Sequence, residues 1–81
     1  MIRIKMAVPE IGKEFDFAYN ENALVDDIIS DTIELIEQYS GISAQNTEEF
    51  VVYMVSTGEI LNKSERLANY QVVNGETLIL I

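Results

Sequence analysis

The 81-residue chain predicts an α+β fold, one amphipathic helix covering one face of a mixed sheet of four to five strands. Both ends of the chain are rich in strand signals, and residues 2–7 and 13–19 each alternate two sets of side chains with a period of two. One central stretch carries apolar residues at spacings of three and four instead, the helical period. Length supplies the third constraint. A typical domain holds roughly 100–150 residues, so a second core would not fit and residues 1–81 form one domain.

The first strand is read from Ile2, Ile4 and Met6, which alternate with Arg3, Lys5 and Ala7. Pro9 and Gly12 frame a turn, Pro by presetting φ and Gly by supplying positive φ. From Lys13 the alternation resumes, with Phe15, Phe17 and Tyr19 on one side and Glu14, Asp16 and Ala18 on the other. This is an antiparallel hairpin.

Between Asn20 and Gly41 the period changes. Val25, Ile28, Ile29, Thr32, Ile36 and Tyr39 share one stripe, flanked by Leu24, Ile33 and Leu35, while Asp27, Ser30, Asp31, Glu34 and Gln38 lie opposite. A helix is predicted over residues 23–39. Asn22 or Asn20 is its expected N-cap, Asp26 and Asp27 suit the positive end of its dipole, and Gly41 suits the left-handed position after its last turn.

Residues 42–49 are polar and read as a loop back to the sheet. Residues 50–55 are aromatic and β-branched, a strand by composition. Ser56, Thr57, Gly58 and Glu59 turn into the short apolar pair Ile60 and Leu61, and residues 62–70 hold about one helical turn. Asn74–Gly75 is a turn dipeptide, and residues 77–81 are the last strand. For that strand to be buried it must lie centrally, parallel to the first strand through a right-handed crossover. This order is the β-grasp arrangement.

Composition narrows function. With no Cys and no His, thiol nucleophiles, disulfides, iron–sulfur ligation, the commonest zinc ligand and the usual general base are all absent. Fourteen acidic against five basic residues, a net charge of −9, works against nucleic acid and anionic membrane surfaces, where Lys and Arg supply the affinity. At 48% hydrophobic residues the chain is too apolar for a disordered acidic tail. No apolar run approaches the roughly 20 residues of a membrane span, and residues 1–8 lack a signal-peptide core, so a cytoplasmic location and no membrane insertion are expected. These exclusions favour a non-catalytic interaction protein without cofactor or metal.

One resemblance covers nearly the whole chain. Gly58, Ile60 and Leu61, then Glu65-Arg66-Leu67-Ala68-Asn69-Tyr70-Gln71-Val72, then Asn74-Gly75-Glu76-Thr77-Leu78 are similar to the C-terminal half of ubiquitin-like proteins. The resemblance implies that Leu67 packs inward and that the Tyr70 hydroxyl pins its loop. Within that superfamily the chain resembles the small bacterial YukD/EsaB proteins of type VII secretion systems, which share this size, acidity and tail pattern. The likeness implies a cytosolic accessory or regulatory role, with a membrane component or the secretion ATPase as partner. Ubiquitin and the sulfur carriers end in a Gly-Gly tail, whereas here the residues run Leu78-Ile79-Leu80-Ile81, so conjugation and sulfur transfer are not expected. A generic ubiquitin-like adaptor, or a sulfur-carrier relative lacking that tail, is the alternative.

Three features invite a functional reading. If Ile2, Ile4, Met6, Phe15, Phe17, Val52, Met54, Leu78 and Leu80 face the helix, then Val51, Tyr53, Val55, Ile79 and Ile81 face away, with Arg3 and Lys5 beside them. An apolar row on a solvent face rimmed by positive charge is the form of a protein-binding patch. Ubiquitin uses the comparable face. Ordinary β-propensity, or a one-residue register shift, would also produce the pattern. Second, no basic residue lies between Lys13 and Lys63, while eleven acidic residues do. That run either steers a basic partner or solvates the helix. Third, Asp27, Asp31 and Glu34 share a helix face, but a straight exposed helix cannot wrap oxygens around a cation as a loop can. Tyr39 and Tyr70 are read as core or loop anchors whose hydroxyls reach a backbone group. The site expected from these residues is thus Arg3, Lys5, Val51, Tyr53, Val55 and Ile79, facing a protein partner. A homodimer through the same face or a strand edge is the other use of such a surface.

Overall fold

The computed structural model describes residues 1–41 and 50–81. The expected loop over 42–49 lies outside the described residues.

Strand β1 (Ile2–Val8) and strand β2 (Lys13–Tyr19) pair antiparallel with Ile4 opposite Phe17 and Met6 opposite Phe15. Between them Pro9–Ile11 forms one 3-10 turn, closed where the Gly12 N–H donates to the Pro9 carbonyl at 3.1 Å. Helix α1 (Val25–Ser40) follows. Strands β3 (Val52–Met54), β4 (Glu59–Leu61) and β5 (Glu76–Leu80) complete a five-stranded sheet in the order β2-β1-β5-β3-β4. β5 runs parallel to β1 and antiparallel to β3, so the C-terminal strand lies in the middle of the sheet, as its apolar composition requires.

Alternation places every second strand residue under the helix. Ile4, Met6, Val8, Phe15, Val52, Met54, Leu61, Leu78 and Leu80 are buried from the sheet, and Val25, Ile28, Ile29 and Ile33 from the helix. Thr32 is the buried polar residue of that stripe. Its hydroxyl donates to the Ile28 carbonyl one turn back at 2.7 Å, which satisfies the group without water.

Three expectations change in detail. β3 is shorter than the predicted strand over 50–55, yet its flanks still pair with β5: the Val51 and Ile81 main chains exchange hydrogen bonds at 2.8 and 3.0 Å, and the Val55 N–H donates to Thr77 at 3.1 Å. The N-cap of α1 is Leu24, which offers no side-chain cap, in place of Asn22 or Asn20. The first-turn donors instead find carbonyls from a distant segment, Val25 N–H bonding Glu65 at 2.9 Å and Asp26 N–H bonding Lys63 at 3.1 Å. Asn20 uses its side chain locally, accepting from the Asn22 N–H at 2.8 Å. Finally, Tyr39 is 64% exposed and packs its ring on Phe15 at 5.4 Å instead of entering the core. It sits in the last turn, where the stripe has drifted past the edge of the sheet.

The segment that caps the helix is itself well anchored. Leu67 is fully buried and opens a 3-10 turn, Leu67–Tyr70. The Leu67 N–H donates to Ala23, the Ala68 N–H to Glu21, and the Arg66 guanidinium to the Asn22 carbonyl at 2.6 Å. Tyr70 closes the loop by accepting the Asn62 N–H at 2.8 Å, the pinning role expected for its hydroxyl. Residues 62–70 and 20–26 therefore order one another, which positions α1 across the sheet.

Candidate protein-binding face

The outer face of the sheet is the one that α1 leaves uncovered. Register fixes its composition. Ile60 on β4 stands opposite Tyr53 on β3, Tyr53 opposite Ile79 on β5, and Ile79 opposite Ala7 on β1. These four residues alternate with buried neighbours, so their side chains form one apolar row across four strands. Val51 and Ile81, paired through their main chains, extend the row at one end of β3 and β5, and Val55 at the other end of β3. Val55, Ile60 and Ile81 are 48%, 63% and 59% exposed, while Val51, Tyr53 and Ile79 are half-buried.

Tyr53 lies close to the β3–β4 turn. A Cβ on Gly58 would lie 3.3 Å from the Tyr53 hydroxyl, so this ring extends over the β3–β4 turn, where a side chain larger than hydrogen would press on it. Gly58 also has φ +75°, a left-handed conformation that closes the turn through its N–H bond to Met54. At the far side of the turn the Ser56 hydroxyl donates to the Glu76 carboxylate.

Charge is arranged to one side of the apolar row. Arg3, Ile4, Lys5, Asp16, Phe17, Ala18 and Gly75 line a shallow hollow of about 560 Å³ over β1 and β2, with two cations and one carboxylate among its residues. Lys5 also meets Glu14 at 3.5 Å, with both side chains about half exposed, so the pair contributes little to stability and leaves Lys5 available to a ligand. Arg3 is positioned by its backbone. Its N–H donates to the Asn74 side chain at 2.8 Å, and its carbonyl accepts from the Gly75 N–H at 2.9 Å. The Asn74–Gly75 turn thus anchors the start of β1 to the start of β5.

All six expected site residues, Arg3, Lys5, Val51, Tyr53, Val55 and Ile79, lie on this outer face, and the one-residue register shift that would have reversed the faces does not occur. The sequence reading missed Ile60 and Ala7. In the sequence Ile60 and Leu61 read as one apolar pair, yet Leu61 is buried and Ile60 points out. Three residues are too few to show a period, and only the pairing with Tyr53 reveals the face.

The tyrosines divide by surroundings. Tyr19 at the end of β2 donates to Asp31 of α1 at 2.7 Å. Burial first, then the Asp31 hydrogen bond and the Asp31 and Asp27 charges, hold its hydroxyl protonated well above the ordinary tyrosine range. Asp31 is thereby engaged with Tyr19. Among the described residues no group of three or more carboxylates converges as a metal site would require. Among them, too, no helix is long and apolar enough to cross a membrane.

The architecture defines the class: the chain has the ubiquitin-like β-grasp fold. The ubiquitin-like domain of the Arabidopsis thaliana protein At2g32350 superposes with a TM-score of 0.73 at 16% identity, over 99% of this chain and 74% of that one. A de novo design based on ubiquitin superposes with a TM-score of 0.70 at 20% identity, over 99% of this chain and 85% of the design. At the level of sequence, no protein family and no curated protein matches the chain. The likeness is therefore one of fold.

Proposed function

We propose that the chain is a non-catalytic ubiquitin-like module that docks a partner protein through the outer sheet face. The apolar row of Ile60, Tyr53, Ile79 and Ala7, bordered by the Arg3 and Lys5 hollow, carries this reading. A contiguous apolar surface fixed by sheet register offers area for burial, and a cationic flank selects a partner with a carboxylate beside its apolar contact. The partner is a component of a type VII secretion system, a membrane protein or its ATPase, met in the cytoplasm. The likeness of residues 58–78 to the YukD/EsaB proteins supports that assignment. A ubiquitin-like adaptor outside secretion would use the same face, and the partner's identity separates the two.

The test compares affinity capture from the source cell's membrane extract by the wild type and by the double variant Tyr53→Ser, Ile79→Thr. This pair removes the centre of the row without placing like charges opposite each other. Circular dichroism establishes that both proteins are folded. Secretion components retained by the wild type and lost by the variant are the expected result. Equal retention by both overturns the face, and capture of non-secretion proteins alone overturns the secretion assignment.

A further inference from the structure

β2 is an edge strand seven residues long, paired through one side with β1 and with no other strand among the described residues. Which of its backbone groups are free follows from Arg3. Arg3 directs its N–H to Asn74 and its carbonyl to Gly75, away from β2. Arg3 and its opposite number Ala18 are thus a non-hydrogen-bonded pair. Alternation along the antiparallel ladder then turns the N–H and C=O groups of Glu14, Asp16 and Ala18 outward.

Beside this edge runs a seam between β2 and α1. It is floored by a continuous series of rings, with Phe15 to Phe17 at 6.4 Å, Phe17 to Tyr19 at 5.5 Å and Phe15 to Tyr39 at 5.4 Å. Phe17 and Tyr19 remain partly open to solvent, and Tyr39 is largely exposed. Asp31 stands over Tyr19 from the helix, with Asp27 one turn away and close enough to act on the same hydroxyl. Glu14 and Asp16 flank the strand on its other face. Lys13 lies over the Tyr39 ring at 5.9 Å, so negative charge is concentrated toward the Asp16 and Asp31 end.

We propose that the free edge of β2 takes up an extended peptide segment of a foreign protein as a sixth strand, alternating apolar residues with Lys or Arg. The structure already contains a template for such a strand. On its paired side β2 accepts β1, where Ile2, Ile4 and Met6 face inward against the aromatic series and Arg3 and Lys5 face outward toward Ala18, Asp16 and Glu14. The free side offers the same rings and the same carboxylates, and the same pattern satisfies it. A second copy of this chain does not. The antiparallel β2–β2 pairing that uses the whole strand would set Asp16 of one copy directly against Asp16 of the other, and such like charges guard an edge against its own kind.

The probe is a capped seven-residue peptide, Val-Lys-Ile-Arg-Val-Lys-Ile, titrated into isotopically labelled protein by NMR, with a control in which Glu replaces each Lys and Arg. Binding is expected below about 1 mM, with amide shifts centred on Glu14, Asp16 and Ala18, and the acidic control should fail to bind. The Ala18→Pro variant removes one outward donor while leaving the β1 ladder intact, and should lose binding. Asp16→Lys combined with Asp27→Lys, which spares the backbone, should weaken binding about tenfold or more. Shifts confined to Tyr53 and Ile79, equal binding of the acidic peptide, or no binding at about 1 mM would overturn the proposal. So would sedimentation of the free protein as a dimer that the Asp16→Lys change disperses.

Discussion

Gly58→Ala tests whether the β3–β4 turn positions the centre of the outer face. Two effects are superposed at this position. At φ +75° an L-residue incurs about 1–2 kcal/mol of backbone strain. The new Cβ would also stand 3.3 Å from the Tyr53 hydroxyl, tighter than ordinary contact, so the ring must move by a few tenths of an ångström. A side chain pushed off its rotamer costs about 0.5–1.5 kcal/mol, and the hydroxyl is the free end of this one, so the lower end applies. Gly41→Ala supplies the reference, because Gly41 has φ +70° and, among the described residues, nothing lies within 4 Å of its Cβ position. Equilibrium urea denaturation should therefore show Gly41→Ala about 1–2 kcal/mol less stable than wild type and Gly58→Ala about 0.5 kcal/mol worse again. Since strain differs between turns, the decisive measurement is the double-mutant cycle with Tyr53→Phe. Removing the hydroxyl should erase the excess cost of Gly58→Ala while leaving the strain. A coupling energy within about 0.3 kcal/mol of zero would show that the ring does not rest on this turn, and the reasoning would fail.

Other outcomes follow from the same contacts. Tyr19 keeps its proton in the folded state at pH values where the unfolded chain, with a pKa near 10, has lost it. The unfolded state then binds fewer protons, so stability is full below about pH 10 and declines as pH rises further. The slope is at most about 1.4 kcal/mol per pH unit, reduced because Tyr19 is partly solvated. Denaturation midpoints of wild type above about pH 10 should fall more steeply than those of Tyr19→Phe, and parallel slopes would refute the assignment. Leu67→Ala, at a fully buried position, should cost about 2–5 kcal/mol by urea denaturation, and a loss under about 1 kcal/mol would mean that the 62–70 segment does not anchor the helix. Tyr70→Phe removes the acceptor of the Asn62 N–H, which should cost about 1 kcal/mol and speed exchange of that amide. Unchanged exchange would show that the bond is not what protects it.

Much of the fold is legible residue by residue because period reports burial. The alternation of Ile2, Ile4 and Met6, and of Phe15, Phe17 and Tyr19, predicts two strands sharing one buried face, and their register bears this out. The spacing of Val25, Ile28, Ile29 and Thr32 predicts the buried helix stripe for the same reason. The stripe misleads at Tyr39, where a correct helical phase brings the ring onto Phe15 yet leaves it 64% exposed. The N-cap misleads differently. Asn20 and Asn22 have the right chemistry at the right place, but the carbonyls of Lys63 and Glu65 reach the first-turn donors and displace a side-chain cap. No local pattern can show an acceptor that arrives from some forty positions away.

The amino-acid sequence by itself determined the fold class, the face of each long strand, the helix and the charge segregation. Each of these depends on neighbours within a few positions, where backbone geometry converts spacing directly into direction. Tertiary structure alone decided which residues stand side by side across strands. The row of Ile60, Tyr53, Ile79 and Ala7 draws on four separate strands and exists through pairing register. The placement of the Arg3 and Lys5 hollow beside it, and of the free β2 edge beside Asp31, has the same origin. Sheet pairing is non-local: hydrogen bonds fix which residues meet, and the chain between them carries no periodic trace of the meeting.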